Sequence, residues 1–199
     1  MSEIKELADL LSKIEIKGIE DRSLLMNVVK FDEEHWKLVL GGVAIAFMHD
    51  YFLPAVFADL EKQIGPVART LIVKYARSVG LNDGKAVCRS LSKEKLSIEE
   101  AMRIAKNIFT IWCLLGWGKI EKMEIIGNKF VAERSSSYEG EGYLRLGRGP
   151  AKTPRCWIAL GYVIGVIEGL LGVKVVEGKE VKCIGMGDET CRFEIEWET

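Results

Sequence analysis

Apolar positions fall at helical spacing through much of the first half of the chain and in shorter, turn-bounded runs after Gly118. Ile4, Leu7, Leu10, Leu11 and Ile14 share one helical face, which predicts an amphipathic opening helix. Residues 23–31 are apolar without that period and read as a strand. Asp32 is a candidate N-cap, and Glu33 and Glu34 after it suit the positive end of a helix. A helix is therefore expected over 32–50, with Pro54 marking a break or restart. Pro66 opens a further helix, expected to run to Ser78 and end at Gly80. Residues 81–97 are polar and irregular, with a turn signal at Asn82-Asp83-Gly84. The capping-box pattern Ser97-Ile98-Glu99-Glu100 starts a helix that should reach about Trp117. Its second half, residues 109–117, is apolar nearly all round, so it is buried or lines a cavity.

Beyond Gly118 the expected elements are strands over 120–126 and 129–134, joined at Gly127-Asn128. Residues 135–152 are rich in Ser and Gly and read as a long loop, a feature usually tied to function or mobility. Thr153-Pro154 then begins a helix that should end near Gly172. Strands over 173–183 and 190–197 close the chain. The order is helices first, then ββαββ.

Composition narrows the function. The 199 residues are 48% hydrophobic and 29% charged, enough for one domain with its own core. A net charge of −1 does not point to nucleic acid or an anionic membrane as partner. The longest apolar runs, 38–48, 108–118 and 157–166, are about half of what a membrane span needs. The opening residues carry acids and lack the features of a signal peptide, so a cytoplasmic protein is expected. In that compartment Cys88, Cys113, Cys156, Cys183 and Cys191 are thiols or metal ligands rather than disulfide partners.

Cys183 and Cys191 sit at the two ends of a glycine-containing turn between strands, and a hairpin can bring both sulfurs to one side. Glu180 can join them only if its strand is irregular, because strict alternation puts it on the face opposite Cys183. Cys156 lies in the first turn of the helix after Pro154, where the helix dipole favours a thiolate. Three sulfurs and a carboxylate suit tetrahedral zinc and leave no open position for substrate. The spacing by itself leaves three readings open: a metal site, a redox-active pair, or ordinary buried thiols.

Trp112, Trp117 and Trp157, with Phe109 and Tyr143, are either core or the wall of an apolar pocket. Gly161, Gly165 and Gly169 strip one helix face of side chains. That face either packs closely on the sheet or leaves room for a ligand, Gly161 and Gly165 then belonging to the pocket. His35 and His49 are isolated, and no phosphate-binding or dinucleotide-binding glycine motif occurs.

The pattern Cys156-Trp-x3-Gly161-Tyr162-x2-Gly165, followed by Glu180-x2-Cys183-x3-Gly187-x3-Cys191-x-Phe193, resembles the 4-vinyl reductase domain. It is also similar to the sensory domains of phenol-responsive transcriptional activators that contain this domain. The resemblance is carried best by residues 125–199, with residues 1–118 as a helical N-terminal part of the same single domain. It implies an α/β (α+β) fold of helices packed on an antiparallel sheet, similar to subunits of the TRAPP tethering complex. Zinc-bearing members hold the metal with a cysteine, a glutamate and two further cysteines, which here fall on Cys156, Glu180, Cys183 and Cys191. Members of the family often dimerise, and the first helix and the 38–60 region are candidate interfaces. The expected function is a stand-alone zinc-containing regulator that binds an apolar or aromatic small molecule in a buried pocket. The alternatives are a vinyl-group reductase, or an accessory subunit of one, and a non-enzymatic interaction subunit. The sequence shows neither a cofactor motif nor an acid–base pair for the reductase reading.

Overall fold

In the strand β7 (Cys191–Trp197), Cys191, Phe193, Ile195 and Trp197 are buried and the residues between them are not, the alternation of a strand with one face on the core. The computed structural model describes residues 9, 29–40, 43–46 and 48–198. β4 (Ile120–Ile126), β5 (Lys129–Arg134) and β6 (Val175–Lys182) join β7 in one antiparallel sheet, ordered β4-β5-β7-β6. A turn at Gly127 and Asn128 links β4 to β5, as its residue types demand. Helix α5 (Trp157–Leu171) is apolar almost throughout and lies between this sheet and a long helix, α2 (Val67–Ser90). Leu160, Ile164 and Ile167 of α5 share a core with Phe130, Phe193 and Ile195 of the sheet. α3 (Ile98–Leu114) completes this layer. Its Ser97 accepts the Glu100 N–H, and the Glu100 carboxylate accepts the Ser97 N–H in return, the capping box the sequence predicts.

The glycine row of α5 faces α2, not the sheet. A Cβ on Gly169 would stand 2.7 Å from the Leu81 carbonyl oxygen, and one on Gly165 would run into the Arg77 carbonyl. Gly84 of α2 meets Gly169, and Gly80 meets the Tyr162 carbonyl. The two backbones therefore touch directly, and that packing offsets the ~0.5–1 kcal/mol each helical glycine costs. It also explains why α2 does not stop where Gly80 and Asn82-Asp83-Gly84 suggested. These glycines are contact points inside a helix that continues to Ser90. The bidentate pairing of Arg77 with buried Glu168 fixes the helices in register, and Glu168 Oε1 also accepts the Val175 N–H at 3.0 Å.

Two further expectations are corrected. Residues 32–50 are not a helix. β1 (Val29–Asp32), β2 (Lys37–Leu40) and β3 (Val43–Ile45) form a small antiparallel sheet. Asp32 does cap, but it caps a turn: its carboxylate accepts the N–H groups of Glu34 and His35, each at 3.1 Å, and the chain reverses through Trp36 at φ 52°. Residues 135–152 are not all loop. Ser137 caps a short helix, α4 (Tyr138–Arg145), by accepting the Gly140 N–H at 3.1 Å. The final helix starts at Trp157, three residues after Pro154. The helix α1 (Phe52–Ile64) contains Pro54 in its first turn. The predicted opening helix lies outside the described residues apart from Asp9. Among the described residues no helix is long and apolar enough to cross a membrane.

Candidate metal centre and adjoining cavity

Four elements deliver the donor atoms of one buried cluster. Cys156 is the N-cap residue of α5, Glu180 lies near the end of β6, Cys183 precedes a tight turn over Ile184–Met186, and Cys191 opens β7. Their ligand atoms all lie within 4.8 Å of one another, and all four residues are buried. The pairing of β6 with β7 shifts register between Glu180 and Lys182. That irregularity turns Glu180 and Cys183 to the same side, the condition the sequence imposed. Cys88 and Cys113 lie elsewhere: the Cys88 thiol donates to the Gly169 and Leu170 carbonyls, and Cys113 lines the cavity described below.

Backbone N–H groups are aimed at the sulfurs. Arg155 N–H donates to Cys183 Sγ and Ile184 N–H to Cys191 Sγ, both at 3.3 Å. Cys156 Sγ stands 3.5 Å from Cys191 Sγ, close to the ~3.7 Å edge of a tetrahedron with 2.3 Å metal–sulfur bonds. The Cys156 N–H donates to Glu180 Oε2 at 3.0 Å, while Glu180 Oε1 is buried with no partner among the described residues. An orphaned carboxylate oxygen facing three sulfurs is the chemistry of a cation site. Burial pushes the Glu180 carboxyl up to about 7 and the Cys156 thiol well up. Hydrogen bonds from Cys156, then Cys183, hold the Cys191 sulfur far below the ordinary thiol range. Zinc fits this donor set: it would be held by Cys156, Glu180, Cys183 and Cys191 and would neutralise charge that burial otherwise disfavours.

Several supporting residues have no signal in the one-dimensional pattern. Asp188 accepts the Cys183 N–H at 2.8 Å and closes the turn. Ser137 Oγ lies 3.1 Å from Cys156 Sγ. Buried Arg134, opposite Cys191 in the β5–β7 register, donates to Ser137 Oγ at 3.1 Å and to the Trp117 carbonyl at 3.2 Å. Buried Glu139 accepts the Ile158 and Ala159 N–H groups at 2.9 and 3.0 Å, capping α5 from outside its own chain segment. Burial raises its carboxyl to about 7.

On the other side of Arg134 is an apolar cavity of about 250 Å³. Phe109, Trp112, Trp117, Tyr162 and Phe193 supply its aromatic wall, and Ile158 and Ala159 of α5 line it next to the cluster. Trp112 meets Trp117 and Tyr162 edge-on, with ring centres 5.4 and 5.5 Å apart. Of the predicted pocket residues, Phe109, Trp112 and Trp117 line this space. Tyr143 does not: it lies under the Arg155 guanidinium, 4.5 Å from its ring centre. Gly161 and Gly165 do not, because α2 occupies the space beside them. Trp157 is buried against Phe57 instead.

With this geometry in place, the chain can be compared with known proteins. Residues 144–197 match the 4-vinyl reductase domain. That stretch contains Cys156, Glu180, Cys183 and Cys191, so all four cluster residues fall inside the match. The fold as a whole is similar to the phenol-responsive sensory domain of the transcription activator PoxR, solved with phenol. The two are 20% identical, with 92% of each chain covered and a TM-score of 0.71. A trafficking protein particle complex subunit 3 from Naegleria fowleri, covalently bound to palmitic acid, is 14% identical over 75% of this chain and 95% of that one, with a TM-score of 0.47. A vinyl-4-reductase family protein from Methanocaldococcus jannaschii is 15% identical over 96% and 94%, with a TM-score of 0.44. The last two likenesses are too distant to carry an argument. No curated protein matches the chain.

Proposed function

We propose that this chain is a regulatory domain that binds an apolar or aromatic small molecule in the cavity and is stabilised by one zinc ion at the Cys/Glu cluster. The observation that carries the reading is the contact between the two: a buried aromatic cavity shares its walls with the elements that hold the four donor atoms. Phe193 of the cavity is two residues from Cys191, and Ile158 is two residues from Cys156. A ligand that shifts either wall shifts a strand or helix anchored at the metal. The domain match over the cluster and the fold shared with a phenol-responsive sensory domain support this reading. Apolar cavities of about 150 Å³ take up benzene, so the size here suits a substituted ring.

Four ligand atoms would saturate zinc, so its part is structural: it neutralises the thiolates and clasps the β6–β7 hairpin to the start of α5. The domain acts as a homodimer in this reading. Phe52, Val56, Leu60 and Ile64 of α1, and Val67, Leu71, Tyr75 and Val79 of α2, are exposed at four-residue intervals and form apolar stripes on consecutive helices. Val79 also lines the cavity, so a second copy seated on the stripe covers part of its rim.

Native mass spectrometry of freshly purified protein tests both parts. The expected result is one zinc per chain with a bound hydrophobic compound, or with a site that toluene fills on addition. Protein with neither metal nor affinity for toluene contradicts the proposal.

A further inference from the structure

The cavity is apolar on every side but one. Among the described residues Arg134 is the sole charged side chain lining it, and it is only 7% exposed. Its two terminal nitrogens donate to the Trp117 carbonyl and the Ser137 hydroxyl, and its plane lies over the Phe193 ring, 4.9 Å from the centre. Its third donor, Nε, has no acceptor among the described residues. A buried charged N–H without an acceptor is costly, so native structures rarely leave one. The cavity wall does not supply the missing oxygen: the Tyr162 hydroxyl, its other polar group of note, already donates to Asp83 at 2.8 Å.

We propose that Arg134 is the polar anchor of this cavity, and that the ligand is a neutral aromatic molecule carrying one acceptor oxygen, seated against the guanidinium. This rests on the ligand-binding reading above and adds to it the chemical class of the ligand. Guanidinium groups only donate, so the matching group is a carbonyl or ether oxygen. Neutrality follows from what lies behind Arg134. Cys156, Cys191, Glu139 and Glu180 already act on its charge from the protein side, and a carboxylate ligand would face all four. A single acceptor follows from the remaining walls, which are alanine, valine, isoleucine and aromatic carbon apart from Cys113 and Tyr162.

The test uses acetophenone and ethylbenzene, which have nearly the same shape but differ by a carbonyl in place of a methylene, with benzoate as the anionic counterpart. In thermal melts and titrations of the full chain, both neutral compounds should bind, acetophenone about tenfold more tightly, and benzoate more weakly than acetophenone. Arg134→Met should remove the preference for acetophenone and keep the ethylbenzene response. Because Arg134 also holds Ser137, that variant can fail to fold. The wild type therefore provides a second readout: the Arg134 Nε–H resonance should move on adding acetophenone and stay in place with ethylbenzene. Equal binding of the two neutral compounds, or an unmoved Nε–H signal, overturns the anchor while leaving the cavity reading intact. Tighter binding of benzoate overturns the neutral class. Binding of none of the three overturns the cavity reading and the anchor with it.

Discussion

Glu180 accepts the backbone N–H of Cys156 through one carboxylate oxygen and leaves the other buried without a partner among the described residues. The first contact ties β6 to the start of α5 in the protein alone, while the second oxygen is free for a cation. Removing a sulfur should therefore cost the metal, and removing the carboxylate should cost both metal and tie. Cys183→Ser and Cys191→Ser are expected to lose the one zinc per chain and to lower the melting temperature. Glu180→Gln, which can keep the tie to Cys156, should bind zinc more weakly but melt higher than Glu180→Ala. Metal analysis beside melting curves checks this. Equal zinc content in wild type and Cys191→Ser would refute it.

Gly165 faces the Arg77 carbonyl with no room for a methyl group. Gly165→Ala should destabilise the fold by about 1–3 kcal/mol through forced separation of α2 and α5. Gly65, which has nothing near it and lies outside both helices, reports only the strain of its positive φ when replaced by alanine. Urea unfolding of the two variants measures the difference. A smaller loss at Gly165 than at Gly65 would contradict the packing account.

Glu139 gives a pH dependence with a definite sign. Burial raises its carboxyl to about 7, above the usual value of about 4.3 for an unfolded glutamate. The native state therefore holds the proton more tightly than the unfolded chain. The stability this group contributes is complete below about pH 4 and is lost as pH rises through about 7. Glu139→Gln removes that titration. Relative to it, the wild type should lose stability, on the order of a few kcal/mol, between about pH 5 and pH 8. Urea midpoints at both pH values read this directly, and parallel profiles would show that the carboxyl does not titrate in this range.

The exposed stripes on α1 and α2 predict a dimer. Sedimentation equilibrium should return about twice the 22.3 kDa chain mass. Tyr75, 67% exposed within the stripe, is the position to disrupt. Tyr75→Lys should sediment as a single chain with unchanged secondary structure. A wild type that is monomeric at high concentration would remove the homodimer from the account.

How much the sequence shows depends on where the information lies. The β4–β5 turn and the Ser97 capping box were legible because each rests on a few adjacent residues. The four cluster residues were legible through their pattern, and the required irregularity near Glu180 was visible from strand alternation alone. Arg134 and Ser137 were not, because their place beside Cys156 and Cys191 is set by pairing between β5 and β7, distant in sequence. The glycine row showed its helical period but not its partner, since Gly80 and Gly84 carry the same local signal as a helix stop. Asp32 illustrates the same ambiguity: an aspartate before acidic residues caps a helix or a turn equally well, and the pairing of Asp32 with Lys37 decided for the turn.

The central claim is that the aromatic cavity beside the Cys/Glu cluster receives a small molecule. A crystal structure of the protein grown with toluene, examined for density in that cavity, tests it most directly. The account predicts planar density enclosed by Phe109, Trp112, Trp117, Tyr162 and Phe193. A cavity that stays empty, or one closed by its own tryptophans, would contradict it.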